Sequence, residues 1–130
     1  MANDDVIQEF LLESHENLDQ LDRDFLALEA DPGQRDRLAA IFRTIHTIKG
    51  TSGFLGFSRL EQLTHAGESV LSRLRDGVLT LSPALTSELL AMVDRVRAVL
   101  ATIEKDGREG PQIHQDLVDR LQAFGNGASA

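Results

Sequence analysis

Residues 38–74 read LAAIFRTIHTIKGTSGFLGFSRLEQLTHAGESVLSRL and contain the clearest indication of how the chain folds. Two segments with apolar residues three and four positions apart flank the apolar run at 54–57. That spacing places the apolar residues on one face of an α-helix. Ser58 and Glu61 have the S-x-x-E spacing of a capping box, which marks the start of the second segment. The stretch therefore predicts two helices that form a hairpin about the corner at 54–57.

Three further amphipathic segments complete the predicted fold. The predicted helices cover residues 3–28, 34–53 and 58–75, a fourth stretch that begins at Ser82-Pro83, and residues 112–124. Their apolar stripes are Ile7, Phe10, Leu11, Leu18, Leu21, Phe25, Leu28, then Leu38, Ile41, Phe42, Ile45, Ile48, then Leu60, Leu63, then Leu85, Leu89, Met92, Val93, Val96, Leu100, Ile103, and last Ile113, Leu117, Leu121, Phe124. Four long amphipathic helices with short connections favour an all-α, antiparallel four-helix bundle, here with an additional short C-terminal fifth helix.

The domain organisation follows from the same pattern. A length of 130 residues suits one domain with one core. We predict that residues 1–106 form the bundle, and that residues 107–124 are a linker and a fifth helix packed on the bundle or following it. Residues 125–130 are predicted to be a disordered tail.

The composition excludes several classes of protein. There is no cysteine, which excludes a disulfide framework and a thiolate metal site. No apolar run is long enough to span a bilayer, so we expect no membrane insertion. The first five residues are acidic where a signal peptide would be basic. We therefore expect a cytoplasmic protein.

Charge is spread unevenly along the chain. The net charge is −8 and there is no basic tract, which argues against a nucleic-acid partner. Residues 1–36 contain eleven acidic and two basic residues, whereas residues 37–79 contain three acidic and six basic residues. The positive segment includes the hairpin, and its charge suits a phosphate group or an acidic partner there.

The hairpin brings polar residues of its two arms to one level. With Phe57 as the pivot, His46 is paired with Glu68, and Lys49 with His65. Each arm from corner to site is about 10 residues, or roughly 15 Å of helix. We therefore predict a cluster of two imidazoles, one ammonium and one carboxylate on the hairpin. His46 flanks the apolar stripe of its helix, so its side chain should be at least partly exposed.

This cluster suits the chemistry of a nucleophilic imidazole. A histidine has an unperturbed pKa of about 6.5, so near neutral pH one ring nitrogen keeps its lone pair. Glu68 would accept a hydrogen bond from the other nitrogen, which fixes the tautomer and orients the ring. Lys49 would neutralise charge on a phosphoryl group, and His65 would join the hydrogen-bond network.

Two glycines beside the cluster leave part of the helix surface without side chains, and this suggests where a partner docks. Gly50 and Gly53 leave room for another protein to approach, and we assign them to docking together with Arg43. A glycine inside a helix costs roughly 1 kcal/mol relative to alanine, so two glycines near His46 call for a reason. Gly53 is explained equally well as the fraying end of the helix.

Two other interpretations of the cluster remain open. His46, His65 and Glu68 are residue types that bind zinc, although Lys49 beside them would repel a cation. Alternatively, the chain is a plain helical interaction module whose histidines are incidental. We expect His15 and His114 to be ordinary surface or hydrogen-bonded residues.

Residues 42–77 resemble the histidine phosphotransfer domains, most closely those at the N terminus of chemotaxis histidine kinases of the CheA type. The resemblance rests on Phe42, His46, Lys49, Gly50, Gly53, Leu55-Gly56-Phe57, Leu60, His65 and Glu68. The first, fourth and fifth predicted helices resemble the family as well. Gly67 departs from it, because a larger residue is more common there, and this leaves the local stability of the helix in question.

The resemblance implies a role for each residue of the cluster. It implies that His46 accepts the γ-phosphoryl group of ATP from a separate histidine kinase catalytic domain, which uses Mg²⁺. His46 then passes the group to an aspartate of a response regulator receiver domain. The family's assisting residues correspond to Lys49, His65 and Glu68, and the acceptor nitrogen is the one remote from Glu68.

The chain has no nucleotide-binding motif of its own. It contains no G-x-x-x-x-G-K-[ST] loop or other glycine-rich phosphate loop, so we expect it to bind no cofactor and not to be a complete kinase. By this reasoning it is the phosphoacceptor domain of a sensor histidine kinase or a free-standing phosphotransfer protein.

Overall fold

Five α-helices and no strands make up the residues that the computed structural model describes, which are 2–111 and 114–125. The helices are α1 (Ala2–Ala30), α2 (Arg35–Leu55), α3 (Ser58–Arg75), α4 (Pro83–Asp106) and α5 (Gln115–Gly125). The predicted all-α class is confirmed. None of these helices is both long and apolar enough to cross a membrane, as far as the described residues go.

The first four helices pack as an antiparallel bundle. Helix α1 packs against α2 and α4, and α3 packs against the same two helices. Helix α5 lies outside this ring and packs against α3 and α4. The extent of the domains stays a prediction, and of the predicted tail the structure describes only Gly125, as the last residue of α5.

The predicted apolar stripes form one core. Among their residues that the structure describes, all are buried except Ile7, Phe42 and Phe124, which are half-buried against the core. Ile113 lies outside the described residues. Each helix buries one stripe and exposes the opposite face, so the residues that flank a stripe, His46 among them, reach the surface beside the core.

The corner between α2 and α3 differs from the prediction. Helix α2 continues to Leu55 and ends at Gly56, whose φ of 84° is in the left-handed region that glycine adopts without strain. Gly53 therefore lies inside the helix and does not mark its end. This lengthens the arm of the hairpin that carries His46.

The predicted capping box at the start of α3 is wrong. Phe57 occupies the cap position and makes no side-chain cap hydrogen bond. Instead, the backbone N–H of Leu60 donates to Glu109 Oε2 at 2.6 Å, and the Arg59 guanidinium donates to the carbonyl of Gly110. The carboxylate from the α4–α5 connection satisfies a free N–H group of the first turn and complements the positive end of the helix dipole.

Helix α5 is fixed to the bundle by apolar and ionic contacts. Leu117, Val118 and Leu121 are buried in the common core. On its first turn, Asp116 accepts two hydrogen bonds from the Arg95 guanidinium of α4, at 2.7 and 2.8 Å. A bidentate pair of this kind has a defined geometry, so it sets the position of α5 along α4.

Gly67 lets α3 and α4 approach each other closely. A Cβ atom at Gly67 would collide with the Sδ atom of Met92, whose side chain is completely buried on α4. The departure at Gly67 thus has a packing explanation, since a larger residue requires Met92 to move.

Candidate functional site

His46 is placed at the surface by the register of α2. Its neighbours Ile45 and Ile48 are buried in the core, which turns His46 toward the flank of the helix. The His46 side chain is 62% exposed. The expected exposure is therefore confirmed, and one edge of the imidazole is accessible to a reactant.

Glu68 joins the imidazole to the ammonium group across the hairpin. Its Oε2 atom is hydrogen-bonded to His46 Nδ1, and its Oε1 atom accepts from Lys49 Nζ at 2.8 Å. The side chain of Glu68 is only 13% exposed. The pairing of His46 with Glu68 agrees with the hairpin geometry, whereas Lys49 reaches the same carboxylate instead of pairing with His65.

The charge of Glu68 fixes the tautomer of His46. Burial pushes the pKa of Glu68 up, but the hydrogen bonds from Lys49 and His46 outweigh this and hold the pKa below its usual value. The carboxylate is therefore ionised near neutral pH and can only accept hydrogen bonds. Nδ1 of His46 must carry a proton, so in the neutral ring the lone pair is on Nε2.

Two residues outside the predicted site extend it: Phe42 lies beside His46, and Arg75 lies over Phe42. The rings of Phe42 and His46 are 6.1 Å apart between centroids and inclined by 11°. The guanidinium carbon of Arg75 lies 4.3 Å from the centroid of the Phe42 ring. Phe42 was predicted as part of the apolar stripe and was among the residues that carry the family resemblance, but no role in the site was assigned to it. Its position four residues before His46 was the available signal, since residues at that spacing share a helix face.

His65 lies next to the cluster without bonding to it. It is exposed on α3 and lines, with Lys49, an open cleft of about 310 Å³ whose other wall is α5. The two hydrogen bonds of the cluster are those that Glu68 accepts, and neither involves His65. The predicted role of His65 in a hydrogen-bond network therefore stays a prediction.

The two glycines assigned to docking differ in their surroundings. A Cβ atom at Gly50 would meet no atom within 4 Å, so nothing in the described fold requires a glycine there. A Cβ atom at Gly53 would lie 2.5 Å from Glu61 Oε2, so the Glu61 carboxylate covers this position. The packing within the domain therefore gives no reason for glycine at position 50, and at position 53 it requires only that the exposed Glu61 side chain move aside.

An exposed strip of α2 runs through the site, and we call it the docking face. It consists of Arg43, His46, Gly50 and Phe54, all of which are exposed. Phe54, which was predicted as part of the corner, is 85% exposed. These residues follow one another at three- and four-residue spacing, so they lie along one side of the helix. The strip offers a cation, a reactive imidazole, a bare turn and an apolar ring.

The other two histidines have different environments. Nε2 of His15 lies 3.5 Å from Glu104 Oε1, as expected for a surface histidine. His114 is only 6% exposed, and its Nδ1 atom has no hydrogen-bond partner within residues 2–111 and 114–125. The expectation for His114 is therefore wrong, because its side chain is buried and one ring nitrogen lacks a partner among those residues.

The contacts of Glu68 disfavour the zinc interpretation. Lys49 Nζ lies 2.8 Å from one carboxylate oxygen, where it would repel a bound cation. Among the residues with described positions, no group of three or more His, Asp or Glu side chains is arranged to hold a metal ion. The cluster is therefore better suited to an anion.

Comparison with known proteins assigns this arrangement to a family. The Hpt domain family matches residues 5–99. The sensor histidine kinase CheAY of Helicobacter pylori is 39% identical over 124 residues, which are 92% of this chain and 15% of that protein. The chemotaxis protein CheA of Halobacterium salinarum is 35% identical over 104 residues, which are 80% of this chain and 16% of that protein. The chain belongs to the Hpt domain family.

Solved structures of similar sequence share the fold. The histidine phosphotransfer domain of CheA superposes with a TM-score of 0.84 at 26% identity, covering 92% of this chain and 91% of that one. The phosphorylated P1 domain of CheA3 from R. sphaeroides, solved in complex with CheY6, superposes with a TM-score of 0.86 at 25% identity, covering 95% and 97%. The chain has the fold of these phosphotransfer domains. It spans about 15% of the length of the curated relatives it matches.

Proposed function

We propose that His46 is the phosphoacceptor of this domain. The observation that carries the proposal is the hydrogen bond from His46 Nδ1 to the ionised carboxylate of Glu68. It leaves Nε2 with a lone pair on the exposed side of the ring, where a phosphoryl donor can approach. The likeness to the phosphorylated P1 domain of CheA3 supports this assignment.

The first transfer uses the Nε2 lone pair. Nε2 attacks the γ-phosphorus of ATP held with Mg²⁺ by a histidine kinase catalytic domain. The N–P bond forms as the bond to the bridging oxygen breaks, and ADP leaves with that electron pair. The Nδ1 proton stays on the ring, so the imidazole becomes cationic, and the negative charge of Glu68 stabilises it. Lys49, which is 2.8 Å from Glu68, neutralises part of the phosphoryl charge.

The second transfer returns the imidazole to its starting state. A carboxylate oxygen of an aspartate in a response regulator receiver domain attacks the phosphorus. The P–N bond breaks, and its electron pair returns to Nε2. The cationic form is a good leaving group because the ring becomes neutral on departure, with the Nδ1 proton still held by Glu68.

The docking face is where we propose that the receiver domain binds. Gly50 has open space above it, so the partner's backbone can come close to His46. The exposed ring of Phe54 offers apolar contact, and Arg43 complements the acidic residues around a receiver's aspartate. A cytoplasmic location follows from the proposed chemistry, because the donor is ATP.

Labelling with γ-³²P-ATP tests the proposal. The domain is mixed with a kinase core from another protein, one known to phosphorylate the phosphotransfer domain of that same protein. The label on the added domain is then measured. We expect acid-labile, base-stable label in the wild type and in His15→Gln, which changes a surface histidine, but none in His46→Gln. Label that persists in His46→Gln would contradict the proposal, as would an unlabelled wild type with several active kinase cores.

A further inference from the structure

The hydrogen bond to Glu68 does not by itself fix the plane of the His46 imidazole. This bond directs Nδ1, but a hydrogen bond tolerates a range of donor angles, so the ring can still swing about its Cβ–Cγ bond while Nδ1 stays bonded. Because 62% of the side chain is exposed, few other atoms limit the swing. A reacting group must be held within about 10–20° of its productive orientation, so Nε2 needs a second restraint.

Phe42 supplies a surface for that restraint. It lies one turn before His46 on α2, and the two rings are 6.1 Å apart and inclined by only 11°. Displaced, nearly parallel rings at this separation attract each other. A swing of the imidazole about Cβ–Cγ would take it out of this alignment with the phenyl ring.

Arg75 holds Phe42 from the other arm of the hairpin. Its guanidinium carbon is 4.3 Å from the centroid of the phenyl ring, within the range of a cation–π contact. Phe42 is only half-buried, so the core alone does not enclose its ring. Arg75 lies at the end of α3, the helix that also supplies Glu68. Helix α3 therefore acts on the imidazole directly through Glu68 and indirectly through the contact of Arg75 with Phe42.

We propose that Phe42, held in place by Arg75, is a positioning residue for His46. Its ring fixes the plane of the imidazole, so that Nε2 stays directed at the incoming phosphorus. Phe42 touches no reacting atom and takes no part in proton transfer. The proposal rests on the proposed role of His46 as the phosphoacceptor.

Two substitutions of Phe42 test this role kinetically, one that removes the aromatic ring and one that keeps it. Phe42→Leu keeps an apolar side chain but removes the ring, and we expect the limiting rate of phosphorylation at saturating kinase to fall about tenfold, with KM for the domain unchanged. Phe42→Tyr keeps the ring and should retain the rate. Phe124→Leu, the same substitution at a half-buried phenylalanine of α5, is the control for lost packing. Equal rates in Phe42→Leu and the control would overturn the proposal.

Ring dynamics test the proposal without any phosphorylation. ¹³C relaxation of the His46 Cδ2 and Cε1 atoms reports how far the imidazole moves. We expect lower order parameters in Phe42→Leu and in Arg75→Gln than in the wild type and in Phe124→Leu. Unchanged order parameters in both variants would overturn the positioning role. If His46→Gln still accepts label, the proposed function fails, whereas this measurement still reports whether Phe42 restrains the ring.

Discussion

Glu68 binds Lys49 and His46 at the same time, with one carboxylate oxygen for each. The Lys49 ammonium is 2.8 Å from Oε1, and the His46 Nδ1–H is bonded to Oε2. One buried charge therefore orients the nucleophile and also holds the cation that meets the phosphoryl group. The two contacts come from residues one turn apart on α2, so the register of the hairpin sets both.

Removing the charge of Glu68 should slow phosphorylation of His46 while the free energy of unfolding changes little. In Glu68→Gln the side-chain oxygen can still accept from Nδ1, but no negative charge stabilises the cationic ring. We expect the rate to fall by about 10- to 100-fold, the usual effect of losing such an orienting partner. Glu29→Gln, at an exposed acid of α1, is the matched control. Normal rates in Glu68→Gln would show that the charge of Glu68 does not stabilise the cationic ring.

Gly50→Ala should stabilise the domain but slow phosphoryl transfer to a partner. Its new methyl group meets no atom of the domain, and alanine favours a helix over glycine by roughly 1 kcal/mol. We therefore expect a small gain in the free energy of unfolding, measured in urea, together with slower transfer to a receiver domain. If transfer is unchanged in Gly50→Ala, this turn of α2 is not a site of close approach.

Gly67→Ala should have the opposite effect on stability. The new methyl group overlaps Met92, which is enclosed by the core, and overpacking of this kind typically costs about 1–3 kcal/mol. Met92→Ala alone leaves a cavity, so the double variant should be more stable than the sum of the two effects predicts. Urea unfolding of the four proteins measures this coupling. Additive effects would show that Gly67 and Met92 do not share this space.

His114 should make the stability of the domain depend on pH. Burial, and then the nearby Arg95 guanidinium, lower the pKa of His114 below 6.5, while Asp116 and Glu109 act in the opposite direction and Arg59 lowers it further. The unfolded chain therefore takes up the proton first as pH falls. The stabilisation is complete above about pH 6.5 and is lost as pH falls from there toward the folded-state pKa, by at most about 1.4 kcal/mol per pH unit.

His114→Gln isolates this effect from the other histidines. The glutamine cannot take up a proton, so the difference in unfolding free energy between wild type and variant should change between pH 7.5 and pH 5, with the wild type losing more stability. Urea unfolding at several pH values measures the difference. Parallel curves for the two proteins would show that His114 is equally easy to protonate in both states.

The fold and the pairing of His46 with Glu68 were predictable because they depend on helical periodicity and on the register of the hairpin. The stripes of α1 to α4 follow the helical repeat, and a hairpin of fixed arm length leaves few partners for His46 other than Glu68. The bond from Lys49 to Glu68 was not predicted, because the long, flexible lysine side chain reaches a carboxylate one turn away from His65, the residue opposite it.

Contacts between distant segments were not predictable in this way. The carboxylate of Glu109 caps α3 from the far end of α4, and no local pattern relates it to Leu60. The overlap at Gly67 depends on how closely α4 approaches, and the burial of His114 depends on where α5 packs. Such features depend on tertiary packing, which overrides the local signals available in a single sequence.

The position of the phosphoryl group on the ring shows whether Nε2 of His46 is the acceptor atom. The domain is labelled with ¹⁵N in its histidines and phosphorylated, and ³¹P–¹⁵N couplings identify the phosphorylated nitrogen. We predict a one-bond coupling to Nε2 of His46, with the proton retained on Nδ1 beside Glu68. A one-bond coupling to Nδ1 of His46, or to any nitrogen of another histidine, would contradict the account.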